Sequence, residues 1–206
     1  MKKNYLVGYK VFFALLGFSA IVTEIATLVA TGKFQPANFF SFFTIEANII
    51  AVIAFLASAF AVYAGKKSIW LDYFRGAATF FMIVTGIVFA ILLAGIENAQ
   101  LTAVPWDNTV LHYLVPVAIA IDWIMHPPMR RFTFRQATAW IIFPILYLVY
   151  SLVRGPIVNW YPYPFLDPVN GGYTQVLITS LIIAAGGLVL VFLVSRVSGK
   201  PQARRK

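Results

Sequence analysis

The chain has 206 residues, of which 61% are hydrophobic, 17% aromatic and 11% charged, with a formal net charge of +9 and a mean hydropathy of +0.82. Average soluble domains carry about 25% charged and about 45–50% apolar residues, so a water-soluble globule has nowhere to put this much apolar surface. Cysteine is absent, which excludes a disulfide framework, a thiolate nucleophile and a thiolate metal site.

Six stretches of about 18–25 residues are each long enough to cross a bilayer core of roughly 30 Å. They predict an all-α, polytopic membrane protein, a single six-helix transmembrane domain over 1–206 with no room for a soluble catalytic domain. The first stretch, 8–30, follows Lys2 and Lys3 as a signal peptide would. It is too long for such a peptide and lacks a small-residue cleavage site, so it reads as a retained span. Within it Glu24 shares a face with Gly17, Ala20 and Thr27, a small-residue face expected to pack inward. The second span, 39–64, carries Thr44, Glu46 and Asn48. Thr44 and Asn48 share a face, whereas Glu46 sits about 200° around the helix from Thr44. The third, 74–95, bears Gly86, Ala90 and Ala94, a small-residue stripe that reads as close helix packing.

The fourth span, 107–126, opens with Asn108 and His112 on one face and carries Asp122 near its other end; His126 closes it before Pro127 and Pro128. The fifth, 137–154, presents Tyr147, Tyr150 and Arg154 as a polar stripe. The segment 155–172 holds four prolines and three glycines, too many for a regular helix. Its Trp160, Tyr161, Tyr163 and Phe165 are expected to hold it at the headgroup level as an interfacial lid. The sixth span is 173–197.

The basic residues sort by side. Lys2, Lys3, Lys10, Lys66, Lys67, Arg75, Arg130, Arg131, Arg135, Arg196, Lys200, Arg204, Arg205 and Lys206 fall on one side, 14 of 16, and only Lys33 and Arg154 on the other. The positive-inside rule makes the crowded side cytoplasmic, with both termini, and the expected location is the plasma membrane. The net charge therefore marks orientation, and no nucleic-acid partner is expected. In this frame Glu24, Thr44, His112 and Arg154 bring polar groups from four helices to one shallow layer of the outer leaflet. Thr44 lies roughly 9 Å and His112 about 8 Å below the surface.

Each of these residues also has a purely structural reading. Thr44 would bond back to the carbonyl of Phe40, and His112 would bridge two helices. Glu24 or Glu46 would pair with Arg154, and Asp122 would serve the internal basic loops. Only two histidines occur, 14 residues apart and without the spacing of a metalloprotease helix, so neither a metal nor another cofactor is expected. Nothing in the sequence sets an oligomeric state.

FFSFFTIEAN at the second span, DNTVLHYLVP at the fourth and WYPYPFLD before the sixth resemble a bacterial member of the androgen-induced protein family, which includes the androgen-dependent tissue-factor-pathway-inhibitor regulating protein. The animal members are multi-pass hydrolases of fatty acid esters of hydroxy fatty acids. The resemblance implies Thr44 as nucleophile, after Phe42 and Phe43, and His112 as its base, four residues after Asn108 and ten before Asp122. It also implies a lid motif at Tyr163, Pro164, Phe165, Leu166 and Asp167. The chain departs from the animal pattern in lacking a second histidine, having Thr109, Val110 and Leu111 where one would stand.

The expected activity is intramembrane hydrolysis of a lipid ester, with membrane lipids as the partners. Thr44 would attack, His112 would move the proton, and oxyanion donors would come from Asn48, Asn108, Arg154 or Tyr161. Glu24, on phase, is favoured over Glu46 for orienting His112. The competing readings are a small transporter or channel lined by Glu24, Glu46 and Arg154, and a non-catalytic lipid-binding protein.

Overall fold

The computed structural model describes residues 3–96, 102–169 and 171–197. Expectations that fall on Lys2, on 97–101, on Asn170 and on the tail with Lys200, Arg204, Arg205 and Lys206 lie outside the described residues. Among the described residues there is no strand, and six helices are long and apolar enough to cross a membrane. They are α1 (Lys3–Ala30), α2 (Phe43–Tyr63), α3 (Ile69–Leu93), α4 (Pro105–Met125), α5 (Phe134–Val158) and α6 (Gly172–Arg196).

Local signals set the helix ends. Pro36–Phe39 forms a short turn of its own and Phe42 is extended, so α2 begins at Phe43 and not at 39. This break puts Thr44 in the first turn of α2. Helix α3 starts earlier than 74 because the Ser68 hydroxyl accepts the Leu71 N–H at 3.3 Å. Helix α5 starts at Phe134 through a reciprocal cap between Thr133 and Gln136. It runs through Pro156 to Val158, and left-handed Asn159, at φ 51°, turns the chain out of it.

Helix α1 packs along α2, α2 on α3, and α3 on α4. Close approach needs glycine at Gly76, where an added Cβ would sit 2.5 Å from the Trp140 ring. Helix α5 meets the others through large rings, Phe143 and Tyr147 against Phe43 and Phe81, and it is the least buried of the six. The stripe at Gly86, Ala90 and Ala94 packs only in part. Gly86 faces Pro116 and the His112 carbonyl, but the π turn Phe89–Leu93 carries Phe89 and Leu93 inward and leaves both alanines exposed.

At the end of the bundle away from Thr44 lies a buried ion network. Lys10 donates to Asp122 Oδ1, and Arg75 donates to Asp122 Oδ2 at 2.9 Å, to Asp72 at 3.1 Å and to the His126 carbonyl at 2.7 Å. Asp72 also accepts the Met129 N–H at 2.8 Å. Lys10 is 0% and Arg75 3% exposed. Counted in the sequence as free orienting charges, they are neutralised inside the protein by Asp72 and Asp122. Asp122 thus binds basic groups as expected, but on the helices, not on the loops. A buried charge left without its partner is costly, about 3–5 kcal/mol for a broken pair. Asp122→Ala removes the carboxylate that Lys10 holds and one of the three acceptors of Arg75, so we expect a stability loss of about 3–5 kcal/mol in detergent unfolding, and an unchanged midpoint would count against this network.

Candidate functional site

The site begins with a backbone defect in α4. Pro116 has no N–H, and the Val115 N–H reaches back to the Val110 carbonyl across the π turn Val110–Leu114. The Leu111 carbonyl is thereby left without a helical donor. The Asn48 amide takes it at 3.1 Å and also donates to the Thr44 carbonyl at 2.9 Å. Asn48 is 0% exposed and, because both neighbours are carbonyls, its NH2 must face them. This bridge holds the first turn of α2 against the π turn of α4.

Across that contact Thr44 Oγ1 stands 3.2 Å from His112 Nε2. His112 Nδ1 lies 3.1 Å from the Asn108 carbonyl, which only accepts, so Nδ1 carries the hydrogen and Nε2 of the neutral ring receives the threonine proton. Phe89 from the π turn of α3 stacks on the imidazole at 3.9 Å between centroids and fixes its plane. Thr44 does not bond back to Phe40, which lies outside α2. The bridging reading of His112 is realised, with the nucleophile candidate as its partner.

The third group is Tyr163. The lid motif at 163–166 does not lie at the surface as expected. Tyr163 is 6% exposed, Leu166 packs in the core, and Pro164–Leu166 forms a 3-10 turn that plugs the bundle. The Tyr163 ring stacks on Phe165 and meets Phe42 edge-on. Its hydroxyl accepts the Thr44 N–H at 3.1 Å and lies 3.2 Å from Thr44 Oγ1. Directions follow in one sense: the Thr44 N–H donates to Tyr163, Tyr163 to Thr44 Oγ1, Thr44 to His112, and His112 to the Asn108 carbonyl. The sequence placed Tyr163 in the lid motif but read it only as a membrane anchor.

Thr44 and Tyr163 form the wall between two unlike cavities. One, of about 140 Å³, is apolar and lined by α3, α5 and α6 through residues such as Val84, Phe89, Leu148 and Ile183. The other, of about 210 Å³, is polar and lined by Glu24, Lys33, Gln35, Asn38, His112 and Trp160. No family model, curated protein or solved structure matches the chain. What it does is therefore read from this constellation.

The remaining candidates take other roles. Glu24 accepts the Ala103 N–H with both oxygens at 2.8 Å and lies against Asp107, so the Asn108 carbonyl, not Glu24, orients His112. Glu46 has a buried oxygen without a partner and, among the described residues, pairs with no cation. Arg154 donates to Asn38 at 2.6 Å and covers the Trp160 ring, so it joins neither glutamate. Both Asn48 amide hydrogens are committed to carbonyls, and Asn108 serves through its backbone. Tyr161 fills the space beside Gly155 and pairs with Tyr173, away from Thr44. Among the described residues no cluster of three or more histidine or acidic side chains is placed to hold a metal ion.

Burial pushes the Tyr163 hydroxyl from 10.0 up to about 12, so it remains a protonated donor at any physiological pH. A raised folded-state value means the folded protein holds its proton where the unfolded chain releases it. The resulting stability is complete below about pH 10 and is lost as pH rises toward about 12. Tyr163→Phe should show a shallower loss of thermal stability across that interval than the wild type. Superimposable pH profiles for the two proteins would contradict the enclosed, hydrogen-bonded hydroxyl.

Proposed function

We propose that the chain is an intramembrane lipid-ester hydrolase with Thr44 as nucleophile and His112 as general base. The observation that carries this reading is the placement of Thr44: its hydroxyl meets the unprotonated nitrogen of His112, at the boundary of an apolar and a polar cavity. An ester-linked lipid has the same division, with chains for one compartment and a water-facing part for the other. The half-exposed Ile145 lines the apolar cavity, which opens it toward the lipid beside α5 and lets a substrate enter sideways.

In the reaction Thr44 Oγ1 attacks the ester carbonyl carbon while His112 Nε2 takes its proton. The donors nearest the developing oxyanion are the Thr44 N–H and the Tyr163 hydroxyl, at the positive end of the α2 dipole. The intermediate collapses to acyl-Thr44 as His112 protonates the leaving alkoxide. Water then attacks the acyl group as His112 Nε2 takes its proton, and His112 returns that proton to Thr44 Oγ1 as the acid departs, which restores the free threonine and the neutral ring. The likeness of the three motifs to the androgen-induced proteins belongs to the same proposal and favours fatty acid esters of hydroxy fatty acids as substrates. A plasma-membrane location, cytoplasmic termini and a site open to the outer leaflet are parts of the same proposal. A transport path is opposed by the apolar layer of Ala51, Phe55, Val115 and Ile119, which stands between the polar groups at the two ends.

The test is turnover of a lipid-ester panel by purified protein. His112→Ala should lower kcat by about 10²–10⁴-fold, and Thr44→Ala should abolish turnover. A fluorophosphonate probe should label the wild type and not Thr44→Ala. Unchanged turnover in either variant removes that residue from the mechanism, and an unlabelled, inactive wild type favours the non-catalytic reading.

A further inference from the structure

A second polar cavity, of about 350 Å³, lies at the end of the bundle away from Thr44. Its lining includes Ser58 from α2, Lys66 and Lys67 from the α2–α3 connection, Arg75 from α3, and His126 beyond α4. The unusual feature is what these side chains leave unbonded. A hydroxyl inside an apolar helix ordinarily bonds back to the carbonyl four residues earlier, as Thr79 and Thr85 do at 2.8 and 3.0 Å. Ser58, 1% exposed, does not; its buried hydroxyl has no partner. Arg75 has both terminal nitrogens on acceptors, yet its buried Nε–H has none, and that group can only donate. His126 Nδ1 is also buried and unpartnered.

Three elements thus turn unused polar atoms on one cavity, and at least one of them requires an acceptor. The local charge has the sign to match. Lys10, Lys66, Lys67 and Arg75 stand against Asp72 and Asp122, an excess of two positive charges. Lys66 and Lys67 pair with no carboxylate among the described residues and are exposed at the cavity. Phe60, Tyr63 and Trp70 flank the same connection and are 64, 69 and 80% exposed, as aromatic rings at a headgroup boundary are.

We propose that this cavity binds a phosphate-bearing anion, with Ser58 and the Arg75 Nε–H as donors inside and Lys66 and Lys67 at the entrance. The phosphodiester of an anionic membrane lipid is the source that the exposed aromatic rings favour, and inorganic phosphate has the same chemistry. The site shares no residue with Thr44, His112 or Tyr163 and stands independently of the ester-hydrolase reading.

The test uses the full chain in phosphatidylcholine nanodiscs. Its thermal unfolding midpoint is followed as phosphatidylglycerol replaces part of the phosphatidylcholine, and separately as inorganic phosphate is added. A rise with phosphatidylglycerol alone assigns a lipid headgroup, and a rise with inorganic phosphate assigns the free anion; either supports the site. Ser58→Ala, a helix-favouring change that leaves every surface charge in place, should weaken the apparent affinity about tenfold or more, the loss of one hydrogen bond to a charged group. Lys66→Gln with Lys67→Gln should weaken it further and flatten its dependence on salt. No rise with either anion overturns the proposal. So does a rise that Ser58→Ala leaves intact, because binding would then reside in surface charge and not in the cavity.

Discussion

Within an apolar helical bundle every backbone carbonyl needs a donor, and in α4 one carbonyl cannot find it locally. Pro116 removes a hydrogen, the π turn diverts another, and the Leu111 oxygen must be satisfied from a second helix. Asn48 supplies that donor, and because the same amide holds the Thr44 carbonyl, the correction of a backbone fault also sets the distance between α2 and α4. Thr44 and His112 meet as a consequence. The π turn in α3 completes the arrangement by bringing Phe89 onto the imidazole face.

The two ends of the bundle use polar groups differently. At Thr44 the bonded groups, Tyr163, Thr44 and His112, form one directional chain, an arrangement in which a proton has a defined route. Around Asp122 they are ionised and mutually compensating, with Lys10 and Arg75 held by Asp72 and Asp122 at almost no exposure. Between them stand apolar side chains such as Ala51, Phe55, Val115 and Ile119, with hydroxyls such as Thr79 and Thr85 bonded back into their own helix, so no charged side chain links the two regions among these residues.

Tyr163 connects the site to the boundary between compartments. Prolines and left-handed Asn159 prevent α5 from continuing, and the chain that would otherwise extend outward folds back as a plug. The plug divides one interhelical space into an apolar cavity on the α5–α6 side and a polar cavity on the α1–α4 side. Thr44 lies on the dividing line because α2 starts late, at Phe43, beside Tyr163.

Hydropathy alone located all six helices, because an apolar run long enough to cross a bilayer needs no partner to be recognised. Helical phase was enough to group Thr44 with Asn48 and Asn108 with His112, and the resemblance of the three motifs to a known family implied Thr44 and His112 as the candidate pair. Other features were beyond such reasoning. Whether Lys10 is a free charge or a buried one depends on a carboxylate 112 residues away. That Glu24 caps Ala103 and leaves His112 to a carbonyl depends on how the loop before α4 returns. The inward fold of Tyr163 depends on the space that α5 leaves by standing off the bundle. The sequence by itself determined the spans, the polar residues within them and their approximate positions along each helix, since these follow from local composition and helix geometry. Only the tertiary structure decided which polar groups pair, because a hydrogen bond between helices is set by packing and by backbone donors lost elsewhere.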